Sequence, residues 1–306
     1  MGCHRQIGGD WYTGGKRDHS GHKGLRTLVE NQMIWPARLH HFALTSENPG
    51  EMADWYVRAM GYEKASHGDG WLLGGAERHL MILPGKKSQV AFSSYAVIDA
   101  AHLTNVAENI AAAGCNVEKF DTPLFADGAI SITDHDGNVF AFGVPSRANS
   151  GSDKLPGRLQ HIVFATTQLA DQVSFFTETI GFRKSDTVLD GDQDPTACFM
   201  RSDPEHHSLG LFRSAEARLD HFCFESTCWN DIRDWGDHFS EQRIPIVWGA
   251  GRHGAGNNLF IFVEDPDGNK VEISAEIETM TWEQAPREWP HEERTLNLWG
   301  TAWLRS

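Results

Sequence analysis

Between residues 158 and 275 short runs that alternate apolar and polar positions, or stay apolar throughout, give way to stretches with helical spacing. RLQHIVF at 158–164, RLDHFCFE at 218–225, LFIFV at 259–263 and KVEIS at 270–274 have the texture of strands. Helical spacing appears near 169–180, ending at Gly181 as a C-terminal stop, and again near 229–242. The pattern predicts a strand at 159–165, a helix at 169–180 and short strands through 182–213. It then restarts with a strand at 218–225, a helix at 229–242 and strands at 245–248, 258–264 and 270–275. Each half is therefore a strand, a helix and about three further strands.

The same pattern occurs earlier in the chain, with recognisable residues. RLHHFAL at 38–44 recurs as RLQHIVF at 158–164, and WYVRAMGYEK at 55–64 recurs as FFTETIGFRK at 175–184. His41 and His161, Gly61 and Gly181, Tyr62 and Phe182, and Lys64 and Lys184 share an offset of 120. ITDHDGNVFAF at 132–142 recurs as VEDPDGNKVEI at 263–273 with an offset of 131, so the second copy gains 11 residues, placed around LDGDQDPTACFMRSDPEHH. A Ser-, Gly- and Pro-rich stretch, PSRANSGSDKLPG at 145–157, joins the copies. The expectation is an α+β fold of four βαβββ modules, paired two by two into half-open cups. It divides into an N-terminal extension at 1–36, a first domain at 37–147, a second at 158–277 and a tail at 278–306.

Composition narrows the partners. The chain has 306 residues, 40% apolar and 23% charged, as in a globular protein with a substantial core. A formal charge of −15 argues against nucleic acid or an anionic membrane as a main partner. No apolar run approaches the roughly 20 residues of a membrane span, and the Gly-rich, basic start has no apolar signal segment. Five scattered cysteines without a CxxC pair point to a reducing, cytoplasmic setting and no structural zinc site.

Candidate chemistry follows from the repeat. His161 and His221 open the two halves of the second copy at the same point, so a pseudo-twofold cup turns both inward. Glu272, on the last strand of the second half, lies beside them in a closed cup. Two imidazoles and one carboxylate on one face form the facial triad of a non-haem Fe(II) centre. Taken singly, a strand histidine is ordinarily a core residue and a strand glutamate a solvated one. The first copy acts as a control: His41 matches His161, but Ala141 stands where Glu272 stands, and QVAFSSYAVID has no histidine to match His221. The metal is therefore expected in the second domain alone, with the first domain non-catalytic.

With GRHGAGN at 251–257 and DPDGNKVE at 265–272, these features resemble the type I extradiol ring-cleavage dioxygenases of the vicinal oxygen chelate superfamily, particularly catechol 2,3-dioxygenase-like members. The resemblance covers about residues 37–277. It implies two tandem vicinal-oxygen-chelate domains and Fe(II), or Mn(II) as in a few relatives, bound by His161, His221 and Glu272. The activity implied is cleavage of a catechol-type ring beside its vicinal hydroxyls by O₂. Of the pair His206 and His207, His207 matches the family's acid–base histidine, and His253 matches a histidine that hydrogen-bonds the substrate. Two departures bear on the substrate: Phe262 stands at a usual tyrosine, and Trp248 at a position that is arginine in relatives taking carboxylated catechols. Both are expected to contact the substrate. The Trp-rich tail is expected to fold over the mouth as a lid, and the protein to form a homo-oligomer like its relatives. Two other readings stay open: a glyoxalase-type lyase or isomerase of the same fold, and a metal-free small-molecule binding protein. Metal analysis separates the last from the enzymes, and dependence on O₂ separates the enzymes.

Overall fold

The computed structural model describes residues 34–146 and 154–304. Most of the expected N-terminal extension, and the middle of the Ser/Gly stretch, lie outside the described residues. The first module is β1 (Arg38–Ser46), α1 (Pro49–Met60), β2 (Glu63–His67), β3 (Gly70–Gly74) and β4 (His79–Pro84). The second is β5 (Gln89–Ala96), α2 (Ala100–Ala112), β6 (Glu118–Lys119), β7 (Ile130–Thr133) and β8 (Val139–Gly143). The third is β9 (Arg158–Thr166), α3 (Leu169–Ser174, continued by a π-helical turn over Phe175–Ile180), β10 (Arg183–Leu189), β11 (Pro195–Arg201) and β12 (Leu209–Arg213). The fourth is β13 (Arg218–Glu225), α4 (Trp229–Glu241), β14 (Trp248–Arg252), β15 (Leu259–Glu264) and β16 (Lys270–Ala275). The tail adds β17 (Arg287–Pro290) and α5 (Glu293–Leu296).

The modules pair as expected. One sheet runs β2-β3-β4-β1-β5-β8-β7-β6 and the other β14-β15-β16-β13-β9-β12-β11-β10-β17. In each module the first strand lies parallel to the last, and the first strands of paired modules meet antiparallel at the centre, β1 with β5 and β9 with β13. Both helices that open a copy stop at a left-handed glycine, Gly61 at φ 69° and Gly181 at φ 95°, a conformation that a Cβ disfavours.

Strand alternation sorts side chains into three apolar groups. On β9, β13, β15 and β16, the side chains of Leu159, Ile162, Phe222, Phe224, Ile261, Val271 and Ile273 pack outward with the helices into one core shared by both domains. Phe42 meets Phe222 across that junction with ring centroids 4.6 Å apart. Tyr56 Oη donates to Asp265 Oδ2 at 2.8 Å, and Tyr95 Oη to the Ser208 carbonyl at 3.0 Å, so the domains are also tied by buried hydrogen bonds. The opposite faces line the two cups: Ala43, Met81 and Phe92 in the first, and Val163, Phe199, Phe212, Trp248, Phe260 and Phe262 in the second. Glu272 alternates with Val271 and Ile273 because it faces the second cup, where it is 1% exposed, and not solvent.

Two features differ from the sequence reading. The strand expected at 245–248 begins instead at Trp248, which pairs with Phe262. Pro245 has no N–H for a ladder, so regular pairing starts beyond it. The tail was expected only as a covering extension, but Arg287–Pro290 also adds a parallel edge strand beside β10.

Candidate active site

The second cup gathers His161, His221 and Glu272 from three central strands. Glu272 Oε2 lies 3.2 Å from His161 Nε2 and 3.3 Å from His221 Nε2, with all three side chains buried. The other nitrogen of each ring is engaged. Gln160 Oε1 faces His161 Nδ1 at 2.5 Å, and Asp220 Oδ1 faces His221 Nδ1 at 2.7 Å. The Gln160 amide donates through Nε2 to the His207 carbonyl at 2.6 Å and to Glu205 at 3.2 Å, which leaves its oxygen as the group facing the ring. Both Nδ1 atoms therefore carry protons. In neutral rings both Nε2 atoms present lone pairs to a carboxylate oxygen, and acceptors opposed at this distance repel unless positive charge sits among them.

The titration tendencies differ between the two rings, His161 tending to the neutral form and His221 to a proton or a cation in its place. Burial opposes the charge on Glu272, but contacts with His161, His221 and His253 outweigh it and hold its pKa well below the carboxylate range. Burial lowers the pKa of His161. At His221 burial is outweighed by the carboxylates of Asp220 and Glu272, and the pKa rises. A nitrogen–nitrogen–oxygen set of this kind, two neutral imidazoles and one carboxylate, suits a divalent transition metal such as Fe(II) or Mn(II).

Cys223 also enters this cluster: a ligand atom from each of His161, Cys223 and Glu272 lies within 4.8 Å of the others. Its thiol is in hydrogen-bond contact with Ser274 Oγ at 2.9 Å, and burial pushes its pKa well up, so it is a weaker donor to metal than the imidazole of His221.

His207 stands beside the cluster on the β11–β12 loop, its ring centroid 4.3 Å from that of His161. This loop covers residues 202–208, against 75–78 between the corresponding strands of the first copy, so it is three residues longer here. A chain of buried groups orients the ring. His206 Nε2 donates to Asp186 Oδ2 at 2.8 Å, and His206 Nδ1 lies 2.9 Å from His207 Nδ1. Asp186 is an acceptor only, so His206 carries its proton at Nε2 and accepts from His207 Nδ1–H. His207 Nε2 is then the atom without a proton. Burial, with His161 and His206 nearby, holds the pKa of His207 well below the usual imidazole value. Asp186 is itself clamped from the tail by Arg287 Nε at 2.8 Å and Trp289 Nε1 at 2.9 Å.

His253 reaches the same carboxylate, its Nε2 3.4 Å from Glu272 Oε1, while Nδ1 donates to the Leu296 carbonyl at 2.5 Å. Its ring stacks on Phe260 at 4.0 Å, and Asn258 Nδ2 donates to Glu272 Oε1 at 3.2 Å.

These groups border a pocket whose remaining walls include Phe199, Phe212, Trp248, Phe262, Thr295 and Leu296. Phe262 lies 5.1 Å from Trp248, nearly parallel, and 5.3 Å from the His221 ring. The tail closes one side: Trp248 Nε1 donates to the Thr301 carbonyl at 3.1 Å, and Trp303 packs on Trp248 at 4.9 Å. Among the described residues that line the pocket none is lysine or arginine. Arg252 instead pairs with Glu276, and Arg287 with Asp186 and Glu278.

All seven residues singled out in the sequence thus meet in one cup. Gln160, Asp220, Asn258, Asp186 and Cys223 were not foreseen; the available signal for two of them was a polar residue directly before each histidine, in LQH and LDH.

A fold of paired βαβββ modules with this buried cluster of two histidines and a glutamate in the second cup defines the class. The chain belongs to the Glyoxalase/Bleomycin resistance protein/Dioxygenase superfamily, whose profile matches residues 38–142 and 158–273. Metapyrocatechase 2 of Cupriavidus necator is 23% identical over 246 residues, 71% of this chain and 73% of that protein. The manganese-dependent 2,3-dihydroxybiphenyl 1,2-dioxygenase of Geobacillus genomosp. 3 is 24% identical over 84% of this chain and 91% of its own. Among solved structures, homoprotocatechuate 2,3-dioxygenase from Arthrobacter globiformis superposes with a TM-score of 0.76 at 21% identity, covering 89% of this chain and 90% of that one. The two-domain vicinal-oxygen-chelate fold and the family read from the motifs are both borne out.

Proposed function

We propose that the protein is an extradiol dioxygenase that opens the ring of a catechol-type substrate with O₂, using Fe(II), with Mn(II) as the alternative metal, held by His161, His221 and Glu272. The observation that carries this reading is the buried set of two Nε2 atoms and one carboxylate oxygen within 3.3 Å, opposed as acceptors beside the oriented ring of His207. The names of the relatives support the reaction. A bound metal would supply the redox chemistry that joins O₂ to the ring.

The protein's own part is proton handling, orientation and dryness. His207 Nε2 takes a proton from a substrate hydroxyl and returns one as the ring opens, and the Nδ1–H contact to His206 keeps that nitrogen aimed at the cavity. His253 donates to or accepts from a substrate oxygen near Glu272. Phe262 and Trp248 form a wall against the ring face, and without cations among the lining residues the cavity suits an uncharged catechol, unsubstituted or with an apolar substituent. Thr295 and Leu296, on the tail helix α5, act as a lid that excludes water.

No helix among the described residues is long and apolar enough to cross a membrane, and no disulfide joins the described cysteines. We place the enzyme in the cytoplasm on that chemistry, as a homo-oligomer whose size gel filtration with light scattering would report. The function is tested by oxygen uptake with anaerobically Fe(II)-reconstituted protein and a panel of catechols. Uptake with a yellow ring-opened product is expected. Silence across neutral and carboxylated catechols, with iron bound, would overturn the reading.

A further inference from the structure

We propose that Gln160 and Asp220 are positioning residues of the metal centre, each carried onto the cup face by a β-bulge and each fixing the tautomer of the histidine that follows it. The inference rests on the reading of His161, His221 and Glu272 as metal ligands.

Neighbours along a regular strand point to opposite faces. By that rule Gln160 and Asp220 should project into the apolar core between the domains, opposite His161 and His221. They do not, because the ladder slips at both places. On β9, His161 pairs with Cys223 but Leu159 pairs with Phe224, so Gln160 is the extra residue. On β13, Leu219 pairs with Phe164 but His221 pairs with Val163, so Asp220 is extra. A bulge inserts one residue and re-aims the local side chains. Here it lets each inserted side chain reach the Nδ1 of the adjacent ring, at 2.5 Å for Gln160 and 2.7 Å for Asp220. Both inserted residues are buried, 1% and 4% exposed. The contact keeps the proton on Nδ1 and presents each Nε2 lone pair to the centre.

The two devices are unequal. Gln160 offers a neutral amide oxygen; Asp220 offers a carboxylate, which makes His221 the stronger donor and adds a second negative charge beside Glu272. The other oxygen of Asp220, Oδ2, lies 3.6 Å from Arg218 Nη1, so part of its charge is shared with that cation.

The first domain shows that the bulges belong to the fold and the acceptors to the site. Its ladder slips at the equivalent places, between Leu39 and His41 and between Ala43 and Leu44. The residue inserted on β1 is His40, whose Nδ1 lies 2.8 Å from His41 Nδ1, and the one inserted on β5 is Ala91, which has no acceptor in its side chain.

The test is anaerobic Co(II) titration against a chelator, read by affinity and by the visible absorption of bound Co(II). Asp220→Ala is expected to weaken binding about 10- to 100-fold. Asp220→Asn, isosteric and still an acceptor, recovers part of that loss while shifting the Co(II) bands. Gln160→Leu weakens binding less than Asp220→Ala. Unchanged melting temperatures of the metal-free proteins separate a site effect from misfolding. If wild type binds Co(II), Glu272→Ala abolishes it, and both Asp220→Ala and Gln160→Leu match wild type in affinity and spectrum, the positioning proposal is wrong and the metal reading stands. If wild type itself binds no Co(II), the metal reading falls and the proposal falls with it.

Discussion

The two cups of this protein share a backbone and differ in what fills them. At the three equivalent positions the second cup holds His161, His221 and Glu272, and the first holds His41, Phe92 and Ala141. His41 turns Nε2 to Thr122 Oγ1 at 3.0 Å and Nδ1 to His40 Nδ1 at 2.8 Å. Phe125 lies 4.7 Å from its ring and Phe92 5.7 Å, with Phe120 packed on Phe92 at 4.9 Å. Burial holds the pKa of His41 well below that of a free imidazole, so the ring is a neutral core residue. The first cup is plugged by aromatics, and the second is plugged at its rim by the tail, with a polar floor left open. The fold provides one histidine and two bulges in each cup; the carboxylates and the His207 loop decide which cup does chemistry.

The largest effect that would sharpen this contrast is at His207. His207→Ala should lower kcat about 10²- to 10⁴-fold while the metal affinity stays as in wild type, measured by single-turnover kinetics and chelator competition. A fall in metal affinity instead would make His207 part of the ligand set.

Converting the first cup should fail. Ala141→Glu places a carboxylate among Phe92, Phe125 and His41 without a metal or a full set of partners, and should cost about 3–5 kcal/mol of stability, read by urea unfolding. A stable variant that gains a second metal equivalent would show the plug to be weaker than the packing implies.

Legibility followed the same division between fold and site. The triad could be read because the repeat supplies an internal comparison, so Glu272 stood out against Ala141 although each alone fits an ordinary strand. The paired modules could be read because alternation and helical spacing are properties of sequence. Bulges are not: Gln160 and Asp220 break the alternation by position in a ladder, which depends on the partner strand. Asp186 and His206 lie 20 residues apart and meet only when β10 and β11 pair. The edge strand REWP has a proline and exposed polar positions, so its pairing with β10 comes from docking of the tail and not from its own pattern.

A smaller effect concerns the wall of the second cup. Phe262→Tyr would place a hydroxyl near His221, whose ring lies 5.3 Å from that of Phe262. One added hydrogen bond is worth about 1 kcal/mol, so kcat/KM for an unsubstituted catechol should change roughly fivefold. No change for any substrate would mean that this wall does not meet the reacting oxygens.

A separate effect, on stability, lies beneath the second cup. Burial raises the pKa of Glu225 to about 8, and Ser274 and the Ile277 amide hold the side chain in place. Because the folded protein binds this proton more tightly than the unfolded chain, whose carboxyl titrates near about 4.3, the contribution is full below that value and is lost as pH rises towards 8. Melting temperature should therefore fall between pH 5 and 8 by more in wild type than in Glu225→Gln. Equal slopes would remove Glu225 from the account.

The most direct measurement is the anaerobic metal stoichiometry of wild type, Glu272→Ala and His41→Ala, each exposed to the same excess of Fe(II) and desalted. The account predicts one equivalent per chain in wild type and in His41→Ala, and none in Glu272→Ala. Iron retained by Glu272→Ala, or lost from His41→Ala, would contradict the assignment of the two cups.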